Sequence, residues 1–285
     1  MKINSNTIKL EKESYLKLEK VVKKIASENK IENVGNVEVK LSKENGVIKF
    51  ATTFELNDAI EDNDCPQVQV LLQTGSELSM WSIIYAIESN NPQMVQIILD
   101  AGGGNWKSFR DGVAFECAFE VNNPEIVKIL LDAGAPMEDS SLSKAINTNN
   151  VDIVKLMIDA RAPFTEGTLN IAIFNRNLEI IKMVCESGRA IATYQSMNNA
   201  IHTQDPEIVK TLLLYGLRPD NERRYPRNSS FNQAICLGNI EIIKMLIQVG
   251  AQINSETYAC TIETNNPEVI DLVKSYYKMR GYSFG

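Results

Sequence analysis

The chain has 285 residues, 44% hydrophobic and 23% charged, the balance of a folded, water-soluble chain and not of a disordered one. No stretch approaches ~18 consecutive apolar residues, so no transmembrane helix is expected. The net charge of −7 is unevenly placed: residues 1–53 hold 11 Lys against 7 Glu, the remainder carries about −11, and an acidic body speaks against general nucleic-acid binding, which needs a basic face.

The opening MKINSNTIKLEKESYLKLEK is charged throughout and lacks the apolar stretch of a secretory leader. Over residues 7–29, Leu10, Leu16, Leu18, Val21, Val22 and Ile25 fall at helical spacing, which predicts a moderately amphipathic basic helix. Val37, Val39 and Leu41 then alternate, KENG supplies a turn, and Val47, Ile48 and Phe50 follow; this predicts a β-hairpin. Residues 1–53 are expected to cap the apolar side of whatever comes next. Contact of the basic helix with an anionic membrane or a partner is the alternative.

From residue 54 one pattern recurs. PQVQVLLQTG, QMVQIILDAG, EIVKILLDAG, DIVKLMIDAR, EIIKMVCESG, EIVKTLLLYG, EIIKMLIQVG and EVIDLVKSYY close at Gly75, Gly102, Gly134, Arg161, Gly188, Gly216, Gly250 and Tyr277. The spacings are 27, 32, 27, 27, 28, 34 and 27. A nearly fixed period means a solenoid, in which each unit buries its apolar face only against its neighbours. In the third copy, Asn123 is placed to cap a helix, Pro124 to open it and Glu125 to meet its positive end. Ile126, Val127, Leu130 and Leu131 form the buried stripe, Lys128 points outward, and Gly134 ends the helix. Cys185 stands at a stripe position and is expected in the core.

A second helix precedes each of these. An apolar residue stands three before a small one, which is followed by another apolar one: Leu56-Ala59-Ile60, Ile83-Ala86-Ile87, Phe115-Ala118-Phe119, and so on to Tyr258-Thr261-Ile262. The small residue lets successive inner helices approach closely. At the far end, Asp271 and Lys274 make the last outer helix more polar, as a terminal unit requires.

AFEVNNPEIVKILLDAGAP resembles the second half of an ankyrin repeat, with its Ala-bearing inner helix, short turn and EVVKLLLxxGA outer helix. The resemblance covers roughly residues 54–279. It implies a groove lined by the inner helices and used by ligands. The Thr-Pro-Leu-His element of that family is absent; only its Leu survives, as Leu56, Leu142 or Leu169. A period of 27 is about six short of the family's 33, so clipped loops are expected in place of full β-hairpin fingers.

With that orientation two series face the groove. The first, just before the small residue, is Asp58, Tyr85, Cys117, Lys144, Ile171, Asn199, Gln233 and Cys260. The second, two residues after it, is Glu61, Glu88, Glu120, Asn147, Phe174, His202, Cys236 and Glu263. The early units thus offer Asp58, Glu61, Asp62, Glu88 and Glu120 around Tyr85, and the middle offers Ile171 and Phe174, which suits a basic, partly apolar peptide or protein surface. Phe174 is either an anchor or a sign that the face assignment slips there. Two long loops, residues 102–112 and 216–230, add candidates. Trp106 in the first is either tucked onto a helix or exposed. The second carries Arg218, Arg223, Arg224, Tyr225 and Arg227, a set suited to an acidic or phosphorylated partner.

Chemistry is hard to find. The single histidine, His202, has no nucleophile motif beside it. Five cysteines on separate units, without a CxxC pair, read as reduced thiols of a cytosol-like compartment and not as a disulfide framework or zinc site. GGGNWKS lacks the Gly before Lys107 that a phosphate loop needs, and it follows a helix.

The expected fold is therefore all-α: a helical-pair solenoid of about eight repeats over residues 54–285, with a small N-terminal helix-and-hairpin cap over 1–53. The expected role is a non-catalytic one, binding a protein or peptide in the cytoplasm, with no cofactor, metal or nucleic acid. A secreted bacterial or viral effector whose array meets a host protein in the host cytosol, and a structural subunit of a larger assembly, are the alternatives. Oligomeric state is left open.

Overall fold

The structure, a computed structural model, describes residues 39–44, 47–52 and 56–284, apart from 74, 80, 105, 107–111, 192 and 220–228. The helix expected over residues 7–29 lies outside these. The chain divides into two compact units, Met1–Glu138 and Asp139–Gly285.

In the first unit, β1 (Val39–Glu44) pairs antiparallel with β2 (Val47–Thr52), Leu41 opposite Phe50. Three helix pairs follow: α1 (Leu56–Glu61) and α2 (Cys65–Gln73), α3 (Ser82–Glu88) and α4 (Pro92–Ile98), α5 (Val113–Val121) and α6 (Pro124–Asp132). The second unit holds five: α7 (Ser141–Asn147) and α8 (Val151–Asp159), α9 (Thr168–Phe174) and α10 (Leu178–Glu186), α11 (Tyr194–His202) and α12 (Pro206–Leu214), α13 (Ser230–Leu237) and α14 (Ile240–Gln248), α15 (Thr257–Glu263) and α16 (Pro267–Met279). Within each unit, odd-numbered inner helices pack on the next inner helix, even-numbered outer helices on the next outer one, and the two of a pair on each other. The core is the seam between these rows. Ile126, Val127 and Leu130 are fully buried, as are their equivalents Ile153, Val154 and Met157. Leu131 and Cys185, one step further round the helix, are only half-buried.

The recurring NN doublet has a division of labour. Asn90, Asn122, Asn149 and Asn265 adopt left-handed backbone, with φ of 53°, 54°, 56° and 49°, a region that Asn tolerates better than most side chains. That single residue reverses the chain between inner and outer helix. The next asparagine is extended and caps the outer helix: Asn91 accepts from the Gln93 N–H, Asn123 from Glu125, Asn150 from Asp152 and Asn266 from Glu268. Its amide nitrogen reaches back to the preceding turn, Asn91 to Asn63 at 2.7 Å, Asn123 to Asn90 at 2.8 Å and Asn177 to Asn149 at 2.9 Å. One residue type thus ends one helix, starts the next and ties neighbouring pairs together.

Outer helices end on a left-handed residue, Gly134 at φ 69° and Arg161 at φ 59° among them. The last differs from expectation: α16 runs on past Tyr277 to Met279, and the left-handed glycine is Gly281. The extra turn is anchored because Tyr276 is buried, packs edge-on against Phe231 and donates its hydroxyl to the Ala251 carbonyl. Beyond it Phe284 lies against Tyr258 and Tyr277, ring centres 4.9 and 5.0 Å away. Asp271 and Lys274 are exposed. The end is nonetheless incompletely covered: Ile262 is 45% exposed where Ile60, Ile87, Ile146, Ile173 and Ile235 are fully buried.

The described residues that join an outer helix to the next inner helix form no strands. A hydroxyl row does the stitching. Ser82 accepts from the Ser79 N–H at 3.0 Å and donates to Asn57 of the previous inner helix at 2.9 Å. Thr257 repeats this with Asn254 and Asn232, at 3.0 and 2.8 Å. Ser230 donates to Asn198 at 2.8 Å, and Thr168 lies 3.4 Å from Ser143. The step from α9 to α11 breaks the row: Ser196 meets the Thr193 N–H at 3.3 Å, and the Asn170 amide oxygen is left buried without a partner.

Candidate interaction surface

Inner helices are two turns long, so the direction of each side chain follows from its offset to the buried small residue. At about 100° per residue, the position two after that residue points nearly opposite to it, while the position just before lies only about 100° away. The second series obeys: Glu61, Glu88, Glu120, Asn147, Phe174, His202, Cys236 and Glu263 are all exposed. Phe174, at 64%, confirms the face assignment there. The first series corrects the expectation. Asp58 is exposed; Tyr85, Cys117, Lys144, Ile171 and Gln233 are half-buried; Asn199 and Cys260 are buried. This series flanks the face, and neighbouring inner helices cover much of it.

In Met1–Glu138 the inner helices carry Asp58, Glu61, Glu88, Glu116 and Glu120 and no Lys or Arg. The effect reaches Cys117 of α5. Burial, then the charges of Glu88, Glu120 and Glu116, push its thiol up to about 11. The acidic excess belongs to this part of the chain: residues 54–138 hold 14 Asp and Glu against 3 Lys and Arg, whereas residues 139–285 hold 15 of each. In the second unit His202 keeps its Nδ1 on the Asn198 carbonyl at 2.8 Å.

The loop candidates separate. Trp106 is half-buried and donates its indole N–H to the Ala133 carbonyl at 3.2 Å, so it is tucked against the end of α6. Arg218 is exposed and bonds the Leu213 carbonyl at 3.2 Å, at the root of its loop. Arg223, Arg224, Tyr225 and Arg227 lie outside the described residues. Beside Arg218, Leu214 is 78% exposed at a position that is Asp132, Asp159, Glu186 or Gln248 elsewhere. Aligning the copies column by column would have singled it out. Next to it, the Tyr215 hydroxyl donates to Glu186 at 2.6 Å, which pushes that phenol up to about 12. Among the described residues, no three or more His, Cys, Asp or Glu gather as a metal would need, and no helix is long and apolar enough to cross a membrane.

Comparison with known proteins agrees with this architecture. A family model described as ankyrin repeats in three copies matches residues 114–195. An ankyrin repeat protein of fowlpox virus (strain NVSL) is 45% identical over 58 residues, 20% of this chain and 13% of that protein, so the chain matches only a small part of its relative. The ankyrin repeat domain of Bcl-3, a member of the IκB family, aligns with 78% of this chain and 98% of its own at 20% identity and a TM-score of 0.40, a likeness too distant to add to the fold.

Proposed function

We propose that this chain, which carries ankyrin repeats over residues 114–195, is a non-catalytic interaction module that binds a protein or peptide on the exposed face of its inner helices. Ankyrin repeats in general mediate protein–protein contact. The observation that carries the reading is Phe174: a large aromatic 64% exposed in the one row where the other units place charged, polar or small side chains. An apolar anchor on a regular, rigid face is what an interface centre requires. Ile171 flanks it. Asp58, Glu61, Glu88 and Glu120, with Tyr85 among them, form a separate stretch suited to a basic segment. Trp106 and Arg218, with Arg223, Arg224, Tyr225 and Arg227, are assigned to a loop contribution, and residues 1–53 to a cap.

The test is a pull-down with the intact chain, repeated with Glu61→Lys/Glu88→Lys, with Phe174→Ala and with a Gly/Ser replacement of residues 216–230. Loss of the captured partner in at least one variant that still folds is expected. Retention in all three, at unchanged affinity and salt dependence, would sink the reading. The fowlpox likeness favours a second one, an effector of a virus or bacterium acting in a host cytosol. Retention of the chain by its producing cell, in a localisation assay, would count against that.

A further inference from the structure

Trp81, just ahead of α3, is 53% exposed, where later units put Ser140, Gly167 or Gln195. Five residues before the buried Ala86, it falls at about 220° round the helix, within about 20° of the second series. The helical register reaches that far: Trp81 has helical backbone, and its carbonyl accepts from the Tyr85 N–H at 3.0 Å. Trp81, half-buried Tyr85 and exposed Glu88 thus form one stripe at i, i+4 and i+7. α3 packs between α1 and α5. By register, these set Glu61 and Glu120 level with Glu88, and Asp58 level with Tyr85. Among the described residues, Glu61, Glu88 and Glu120 have no cationic partner. Of the three bases in residues 54–138, Lys128 is on the outer helix α6, and Lys107 and Arg110 lie outside the described residues. The charges of Glu88 and Glu120 both reach the Cys117 thiol on α5. An exposed ring suits an apolar body and these carboxylates a positive head; arginine and lysine carry both.

Resting on the reading of the inner helices as a binding face, we propose that α1, α3 and α5 dock a basic peptide segment whose arginine or lysine side chain lies along the Trp81–Tyr85–Glu88 stripe. Its aliphatic stem packs on the Trp81 ring. Its cationic head passes over Tyr85 and settles at Glu88, flanked by Glu61 and Glu120, at the end of α3 where the helix dipole also favours positive charge. Trp81 is then a specificity residue of the first unit: an anionic segment could use the same ring but would face carboxylates at every step beyond it.

Selection of phage-displayed random dodecapeptides on the intact chain, with titration of the best as a synthetic peptide, tests this. Enriched sequences should carry Arg or Lys. The chain has two tryptophans, so in the Trp106→Phe chain the emission of Trp81 alone should change on binding and saturate with it. Affinity should fall about tenfold or more on Trp81→Ala. It should fall likewise when the peptide's arginine becomes citrulline, or its lysine acetyl-lysine, which removes the charge. Trp81→Phe, which keeps an aromatic face, should bind between the parent and Trp81→Ala. Glu88→Gln should weaken binding and Phe174→Ala should not, with circular dichroism confirming that each variant is folded. Peptides that depend on Phe174 and ignore Trp81 and Glu88 would overturn the inference and leave the proposed function standing. Peptides indifferent to all three substitutions, or no enrichment beyond that on the bare support, would overturn both.

Discussion

Arg161 shows how much of this molecule is decided by single backbone positions. It occupies a left-handed helix end, at φ 59°, where most other copies have glycine. A side chain there costs roughly 1–2 kcal/mol, while glycine would add about 0.4–1 kcal/mol of freedom to the unfolded chain. Arg161→Gly should therefore stabilise by about 0.5–1 kcal/mol, read as a higher midpoint in urea; an unchanged or lower midpoint would show that the strain is relieved elsewhere. Cys117 offers a second test, of charge on the inner face. Its thiol is held high by burial and by Glu88, Glu120 and Glu116. Removing one carboxylate lowers that value and raises the reactive thiolate fraction at pH 8, so Glu88→Gln should speed modification of Cys117 by a thiol reagent. No change would separate Glu88 from Cys117. The residue scale is also where sequence reading ran out. Seven of the eight closing positions were legible from spacing, and the second series from helical angle. The flanking series was not, because whether Asn199 or Cys260 is covered depends on how closely the next helix approaches. The hydroxyl row was missed because Ser and Thr at the start of a helix read as ordinary turn residues.

At the scale of the element, each helix is too short to stand alone. Isolated helices under ~12–15 residues are marginal in water, and most of these have seven or nine. Their stability comes from the buried seam and from the caps. Leu130 lies wholly within that seam, so Leu130→Ala should cost on the order of 2–5 kcal/mol in chemical unfolding; a loss below 1 kcal/mol would contradict its place in the core. α16 departs from the others, and its extra turn is anchored by Tyr276, through burial, ring packing and one hydroxyl. Tyr276→Phe keeps the ring against Phe231 but leaves the Ala251 carbonyl without its buried donor. The expected cost is about 1–3 kcal/mol, and an unaltered midpoint would mean that water replaces the donor. The helix pairs themselves were plain in the sequence because a period near 27 and a left-handed residue followed by an Asn or Asp cap, written as NN in four copies, repeat the same physics along the chain. The length of α16 was not, since it has no later copy to be aligned with.

At the scale of the whole molecule, a stack of this kind has no single core. Within each unit, each pair buries its seam against its neighbouring pairs, so stability is close to a sum of local terms and neighbour terms. That has a consequence that a globular protein would not share. Leu212 is fully buried in α12, which packs on α10 and α14. Leu212→Ala opens a cavity there, and the damage should stay local. In hydrogen exchange, amides of α10, α12 and α14 should lose protection, while α1 to α4 of the first unit keep theirs. A uniform loss across all helices would instead mean that the chain unfolds as one cooperative body. The distinction bears on function. If opening is local, the inner face around Phe174 depends on its own neighbours for rigidity, and a partner seated there would raise protection in α7 to α12 without tightening the acidic helices of the first unit. Occupancy of that face would then leave the affinity of the acidic helices for a basic segment unchanged.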